Sequence, residues 1–232
     1  MFSQALVQTC IGGNYVATKT KKEALDCFYM INFGNFWIYG FCSICIFCLI
    51  DDFITLWIGS EYLLTKLITF VISANVFIQG MISGVSGFRT ATGIFRETKY
   101  VYLITAMLNL IFSVLLGKIW GMVGILISPG IARLCTNAWF EPYVLIKKKL
   151  EFSIRPFIVR MIKYYLITFV FIGVVYLFKK YYSFNLTWVS FIIELFVCVL
   201  FVNLVFFVLF RKTDNFNELW GKLKPFLLRK KK

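Results

Sequence analysis

Charge-free apolar stretches alternate along the chain with short clusters of lysine and arginine. No charged side chain occurs between Asp26 and Asp51, between Lys66 and Arg89, or between Lys99 and Lys118. Each stretch is about as long as the ~20 residues a helix needs to cross the hydrocarbon core of a bilayer. The pattern predicts six full spans, at Phe33–Ile50, Leu67–Gly87, Tyr100–Leu116, Ile119–Trp139, Tyr164–Phe178 and Trp188–Phe210, and a partial one at Phe2–Val16. All are expected to be helical, because an open strand in lipid would leave its backbone groups unpaired. The predicted fold class is therefore all-α, a polytopic transmembrane helix bundle over residues 1–212 with a basic amphipathic tail over 213–232.

Orientation follows from the connections, since lysine and arginine accumulate on the cytoplasmic side. Lys19, Lys21 and Lys22, then Arg89, Arg96 and Lys99, then the bases from Lys147 to Lys163, and finally the tail all fall on one side. The other side receives Lys66, Lys118, Lys179 and Lys180 with Asp51, Asp52 and Glu61. The first side is read as cytoplasmic, with the C-terminus there, and the partial N-terminal span then starts outside. Met1–Val16 lacks the basic start and small-residue cleavage site of a signal peptide. In the tail, Phe216, Leu219, Trp220, Leu223 and Leu227 share one helical face flanked by bases, the pattern of an interfacial helix, with Pro225 expected to bend or interrupt it. Residues 147–163 are expected to lie on the membrane in a similar way.

Composition agrees with this reading. Hydrophobic residues make up 60% of the 232, and charged residues only 16%, against roughly a quarter in a soluble domain. Mean hydropathy is +0.80. The net charge of +14 is carried at the ends of apolar segments, where anionic lipid head groups are a simpler partner than nucleic acid. Cys42, Cys45 and Cys48 fall at helical spacing inside one apolar segment. With no histidine in the chain they are read as small apolar residues, not metal ligands. No metal, cofactor or disulfide framework is expected. The absence of histidine and of a phosphate-binding loop also argues against an enzyme.

Polar residues at membrane depth are the candidates for function. Arg133 lies within the Ile119–Trp139 span. Its side chain either snorkels to the interface or meets an anionic substrate. Glu194 interrupts the last span and either reaches water at its outer end or serves as a coupling-ion site. Asn32, Asn35, Asn75, Gln79 and Asn109 join helices by hydrogen bonds or line a cavity for sugar hydroxyls. The group Asn35, Phe36, Trp37 and Tyr39 would suit a sugar, although tryptophan and tyrosine also mark interfaces. Gly80, Gly84 and Gly87, and Gly117, Gly121 and Gly124, have the spacing of small-residue packing faces. Ser128-Pro129-Gly130 is expected to break or kink its span.

The run Phe88-Arg89-Thr90-Ala91-Thr92-Gly93-Ile94-Phe95-Arg96-Glu97-Thr98-Lys99-Tyr100 resembles a cytoplasmic loop of polysaccharide flippases, the Wzx-like members of the multidrug/oligosaccharidyl-lipid/polysaccharide exporter superfamily. The likeness continues through Asn109, Gly117-Lys118-Ile119-Trp120-Gly121, Gly124, Trp139, Pro142 and Tyr143. Upstream it includes Ile11 to Thr18, Asn32 to Trp37, and Leu56-Trp57-Ile58-Gly59. The resemblance implies a bacterial inner-membrane protein that moves an undecaprenyl diphosphate-linked oligosaccharide between leaflets, for capsule, O-antigen or exopolysaccharide assembly. It implies two helical lobes around a cavity, with this chain matching the C-terminal one. The missing N-terminal lobe, or a polysaccharide polymerase, would then be a partner. It further implies that Arg133 meets the diphosphate, with Arg89 and Arg96 at the cytoplasmic mouth. Asn109, Asn35 and Trp37 are the accompanying substrate candidates. Two alternatives stand beside it: a drug or cation exporter of the same superfamily, for which Glu194 is the candidate acid, and a non-transporting scaffold in polysaccharide assembly.

Overall fold

The structure, a computed structural model, describes residues 20–181 and 186–228. The partial span Phe2–Val16 and the Ile11–Thr18 similarity lie outside the described residues. The described chain is helical with no strand. In order it forms α1 (Lys21–Trp57), α2 (Lys66–Ala91), α3 (Lys99–Trp120), α4 (Met122–Cys135), α5 (Asn137–Tyr143), a π-helical turn (Val144–Lys149), α6 (Arg155–Tyr181), α7 (Trp188–Phe210) and α8 (Asp214–Leu228).

Five of these helices, α1, α2, α3, α6 and α7, are long and apolar enough to cross a membrane. Their burial differs in a way that orders the bundle. In the most apolar window of α1 and α2, 56% and 61% of residues are buried within the molecule, against 6% for α3. Leu103, Leu110, Leu115 and Ile119 stand exposed along α3. Leu166, Val170 and Val174 do so on α6, as do Val197, Leu200 and Leu204 on α7. Apolar exteriors of this extent suit lipid and not water. The molecule is membrane-embedded.

The core is aromatic and centred on α1. Phe36 is fully buried and stacks on Tyr164 of α6 at 4.3 Å between ring centroids and on Phe206 of α7 at 5.1 Å. Phe28 meets Phe88 of α2 edge-on at 5.3 Å. Offset and edge-on pairs like these add roughly 0.5–1.5 kcal/mol each beyond simple burial. α1 begins with a capping box in which Thr20 and Glu23 satisfy each other's backbone N–H groups.

Helix lengths exceed the apolar stretches because charged ends are neutralised locally. At one end Lys66 pairs with Asp51 at 2.6 Å, and Lys179 lies between Asp52 and Glu194. At the other, Lys21 pairs with Glu151 at 2.6 Å, and Arg160 donates to Asn215. These contacts place the ends of α1, α2, α6 and α7 in the alternating order that the charge pattern predicts.

Three expectations are corrected. The Ile119–Trp139 span is not one helix: α4 ends at Cys135, Thr136 adopts φ −125° and ψ −85°, and α5 starts at Asn137. The break is not at Ser128-Pro129-Gly130, which lies inside α4. There Asn75 of α2 donates to the Leu126 carbonyl at 2.7 Å, next to the Ile125 carbonyl that Pro129, lacking an N–H, cannot serve. Nor does Pro225 interrupt the tail, since α8 runs through it to Leu228. Residues 147–163 comprise the end of the π-helical turn, a non-helical stretch at 150–154 and the first turns of α6.

The α3–α4 hairpin is closely packed. Gly121 joins the helices at φ +59°, a left-handed conformation that suits glycine. A Cβ on Gly124 would lie 2.0 Å from the Leu116 carbonyl oxygen. This close approach turns the inner faces of α3 and α4 toward α2.

Candidate functional site

A cavity of about 910 Å³ lies among α2, α3 and α4, with Tyr39 of α1 and Asn137 of α5 on its walls. The second half of α2 contributes Gln79, Ser83, Ser86 and Arg89. α3 contributes Tyr102, Thr105 and Asn109, and α4 contributes Arg133. The lining thus combines two arginines with hydroxyls, carboxamides and phenols, on helices that are otherwise apolar.

The two arginines differ in state. Arg133 is half-buried, and among the described residues no hydrogen bond or ion pair engages it. Arg89 is 8% exposed and densely held. Its Nη1 donates to Thr98 Oγ1 at 2.6 Å and to the Ile94 carbonyl at 3.4 Å, and its Nη2 donates to Tyr102 Oη at 3.0 Å. Its Nε lies 3.6 Å from Glu141 Oε2 and makes no hydrogen bond. Three bonds leave at least two of the five guanidinium N–H groups unused.

Glu141 is fully buried. Oε2 accepts from Ser86 Oγ at 2.8 Å, and Oε1 accepts from Asn137 Nδ2 at 3.4 Å. The hydroxyl of Tyr102 donates to Ser86 at 3.2 Å and closes the ring of contacts. The break at Thr136 makes this possible: α5 turns back against α2 and carries the carboxylate into the protein. Residue types alone did not single out Glu141. It lies just past the predicted span and next to Pro142, where a charge looks like ordinary loop chemistry. Glutamate four residues after Asn137, on the same helical face, was the available signal.

The other sequence candidates are distributed as follows. Arg89, Asn109 and Arg133 are brought together in the cavity, with Gln79 and Tyr39. Arg96 is exposed on the α2–α3 connection and does not line it. Asn35 is fully buried against Gly84 of α2, its amide nitrogen and oxygen both without a hydrogen-bond partner among the described residues. A Cβ on Gly84 would lie 1.9 Å from Asn35 Nδ2. Trp37 faces the tail: its Nε1 donates to Asn203 of α7 at 2.9 Å, and its ring stacks on Phe216 of α8 at 5.8 Å. Glu194 is bound to Lys179 at 2.8 Å, at the other end of the bundle. Lys66 marks that end of α2, roughly 35 Å from Arg89 at the rise of an α-helix. Among the thiols, Cys45 Sγ lies 3.6 Å from Cys198 Sγ, with no disulfide between them.

A second hollow, of about 440 Å³, runs between α2, the α4–α5 region and α6. Met81, Val85, Trp139, Phe157 and Phe169 line it, and Ile82 borders both hollows. Comparison of the chain with protein-family models, curated proteins and solved structures gives no match.

Proposed function

We propose that this chain is a lobe of a flippase for an anionic lipid-linked oligosaccharide, of the undecaprenyl diphosphate type. One observation carries the reading: an intramembrane cavity of about 910 Å³ holds an unengaged arginine, Arg133, among side chains suited to sugar hydroxyls. Ionisable residues at membrane depth are retained for function or internal pairing, and Arg133 has no internal pair among the described residues. Arginine binds phosphate oxygens through a planar fork of donors. Gln79, Ser83, Thr105 and Asn109 offer donors and acceptors to hydroxyls, and the apolar hollow beyond Ile82 is compatible with a lipid chain. The resemblance of residues 88–143 to Wzx-like flippases points the same way. Alternating access requires a second lobe moving against this one. The site of action is a bacterial cytoplasmic membrane, with the lysine-rich end of the bundle inside.

Glu141 is the specific observation favouring the alternative, a cation exporter, since such proteins use buried acids. Its carboxylate is already balanced by Arg89, however, and the remaining charge in the cavity is the positive Arg133. A non-transporting scaffold would need no such lining.

The deciding measurement is binding of a short-chain prenyl diphosphate-linked sugar to the detergent-purified protein. Arg133→Ala should weaken it by about 10- to 100-fold, the range for losing a charge-assisted hydrogen bond, while Arg133→Lys keeps part of the affinity. Equal affinity in all three forms removes Arg133 from the site. Tighter binding of a lipophilic cation by Arg133→Ala would favour the exporter.

A further inference from the structure

The Arg89–Glu141 pair stands at the edge of the cavity and is incomplete as an ion pair. Arg89 approaches Glu141 at 3.6 Å through Nε without a hydrogen bond, while at least two of its N–H groups are unused. Glu141, by contrast, has no access to solvent. Its charge is balanced from α2 by Arg89. From α3 the titratable group nearby is Tyr102, which lies close to both members of the pair. α4 contributes Arg133 to the same cavity, and α1 contributes Tyr39. The remaining contacts to the carboxylate, from Ser86 and Asn137, are neutral.

An anion that enters the cavity and engages the unused Nη2 N–H of Arg89 draws on the only cation paired with Glu141 among the described residues. A buried carboxylate stripped of its counter-charge is strongly disfavoured, and such a group neutralises instead. Charge matching points the same way. Arg89, Glu141 and Arg133 together give the cavity one net positive charge. With Glu141 neutral it has two, which balance the two negative charges of a diphosphate diester.

We infer that Glu141 is a proton site linked to occupancy of the cavity: a doubly negative headgroup binds Arg89 and Arg133, and the Glu141 carboxylate takes up one proton from solvent as it does so. The balance is simple. Glu141 passes from carboxylate to carboxylic acid, no covalent bond of the ligand changes, and the protonated oxygen can remain hydrogen-bonded to Ser86 or Asn137. The inference rests on the flippase reading and adds to it the ion that accompanies the substrate, bound with it and not exchanged against it.

The test uses the detergent-purified protein and a ten-carbon prenyl-diphosphoryl-N-acetylglucosamine as probe. Both phosphates of this diester stay ionised between about pH 5.5 and 8.5, so any proton taken up belongs to the protein. Titration calorimetry at one pH in two buffers of different ionisation enthalpy reads the proton count directly. Wild type should take up as much as one proton per probe bound, and its affinity should fall by as much as tenfold per pH unit as pH rises. Glu141→Gln keeps the amide contacts and should show no uptake and a flat affinity profile. Arg89→Gln/Glu141→Gln, a neutral pair of similar shape, guards against misfolding of the single variant: it too should bind without uptake, and more weakly. Binding by wild type without proton uptake, or undiminished uptake in Glu141→Gln, overturns the proton site and leaves the flippase reading intact. No binding of the probe by wild type overturns both.

Discussion

Single residues in this protein are constrained mostly by what presses on them. Gly84 is one such case, because any side chain there would collide with Asn35 Nδ2, 1.9 Å from the Cβ position. Asn35 is fully buried and cannot swing to water. Overpacking of this kind costs about 1–3 kcal/mol. Gly84→Ala should therefore lower the thermal unfolding midpoint in detergent, whereas Gly84→Ala/Asn35→Ala should recover most of the loss. An equally low midpoint in the double variant would show that helix approach, and not Asn35, sets the constraint. The Gly80–Gly84 spacing was readable from sequence because small residues three or four apart line one helix face. The partners were not readable: a carboxamide that packs against a glycine and one that lines a cavity look alike in a sequence. Asn35 and Asn109 were the same kind of candidate, and only the second lines the cavity.

At the level of elements, charge-free stretches located α1, α2, α3, α6 and α7, because the cost of a charge in lipid writes itself directly into composition. The same signal misjudged the region 119–139. An apolar stretch of that length reads as one span whether or not the backbone turns within it, and at the Thr136 break one contact forms only once α3 is in place: Thr136 Oγ1 lies 2.7 Å from Thr105 Oγ1. That break also positions Glu141, so the error about one element hid one residue of the site. Trp37 shows the converse. Its neighbourhood of aromatic and amide residues suited a sugar, yet the ring is covered by Phe216 and ties α8 to α1 and α7. Trp37→Ala should loosen the tail, speeding tryptic cleavage at Arg211 and Lys212 several-fold, and should leave prenyl diphosphate binding unchanged. A tenfold drop in that binding with cleavage unaltered would return Trp37 to the cavity.

For the whole molecule, two ionic groups at opposite ends of α2 do different work. Lys66, Asp51, Asp52, Lys179 and Glu194 connect α1, α2, α6 and α7 at one end, and their side chains are partly exposed, as suits the edge of a bilayer. Arg89, Glu141 and Arg133 occupy the other half, within or beside the cavity. The first group joins helices that carry the aromatic core, and the second lies on α2–α5, where the hairpin of α3 and α4 packs. Which end faces the cytoplasm decides the leaflet from which a ligand first reaches Arg89. On the proposed topology that end lies inside, the side on which lysine and arginine accumulate in membrane proteins. In a version of the chain with its native cysteines replaced, a single cysteine at Lys180 should react with an impermeant maleimide on intact cells. One at Lys148 should react only after the membrane is opened. The reverse pattern would invert the bundle, make the arginine-bearing half of the cavity face outward, and turn the proposed direction of loading around with it.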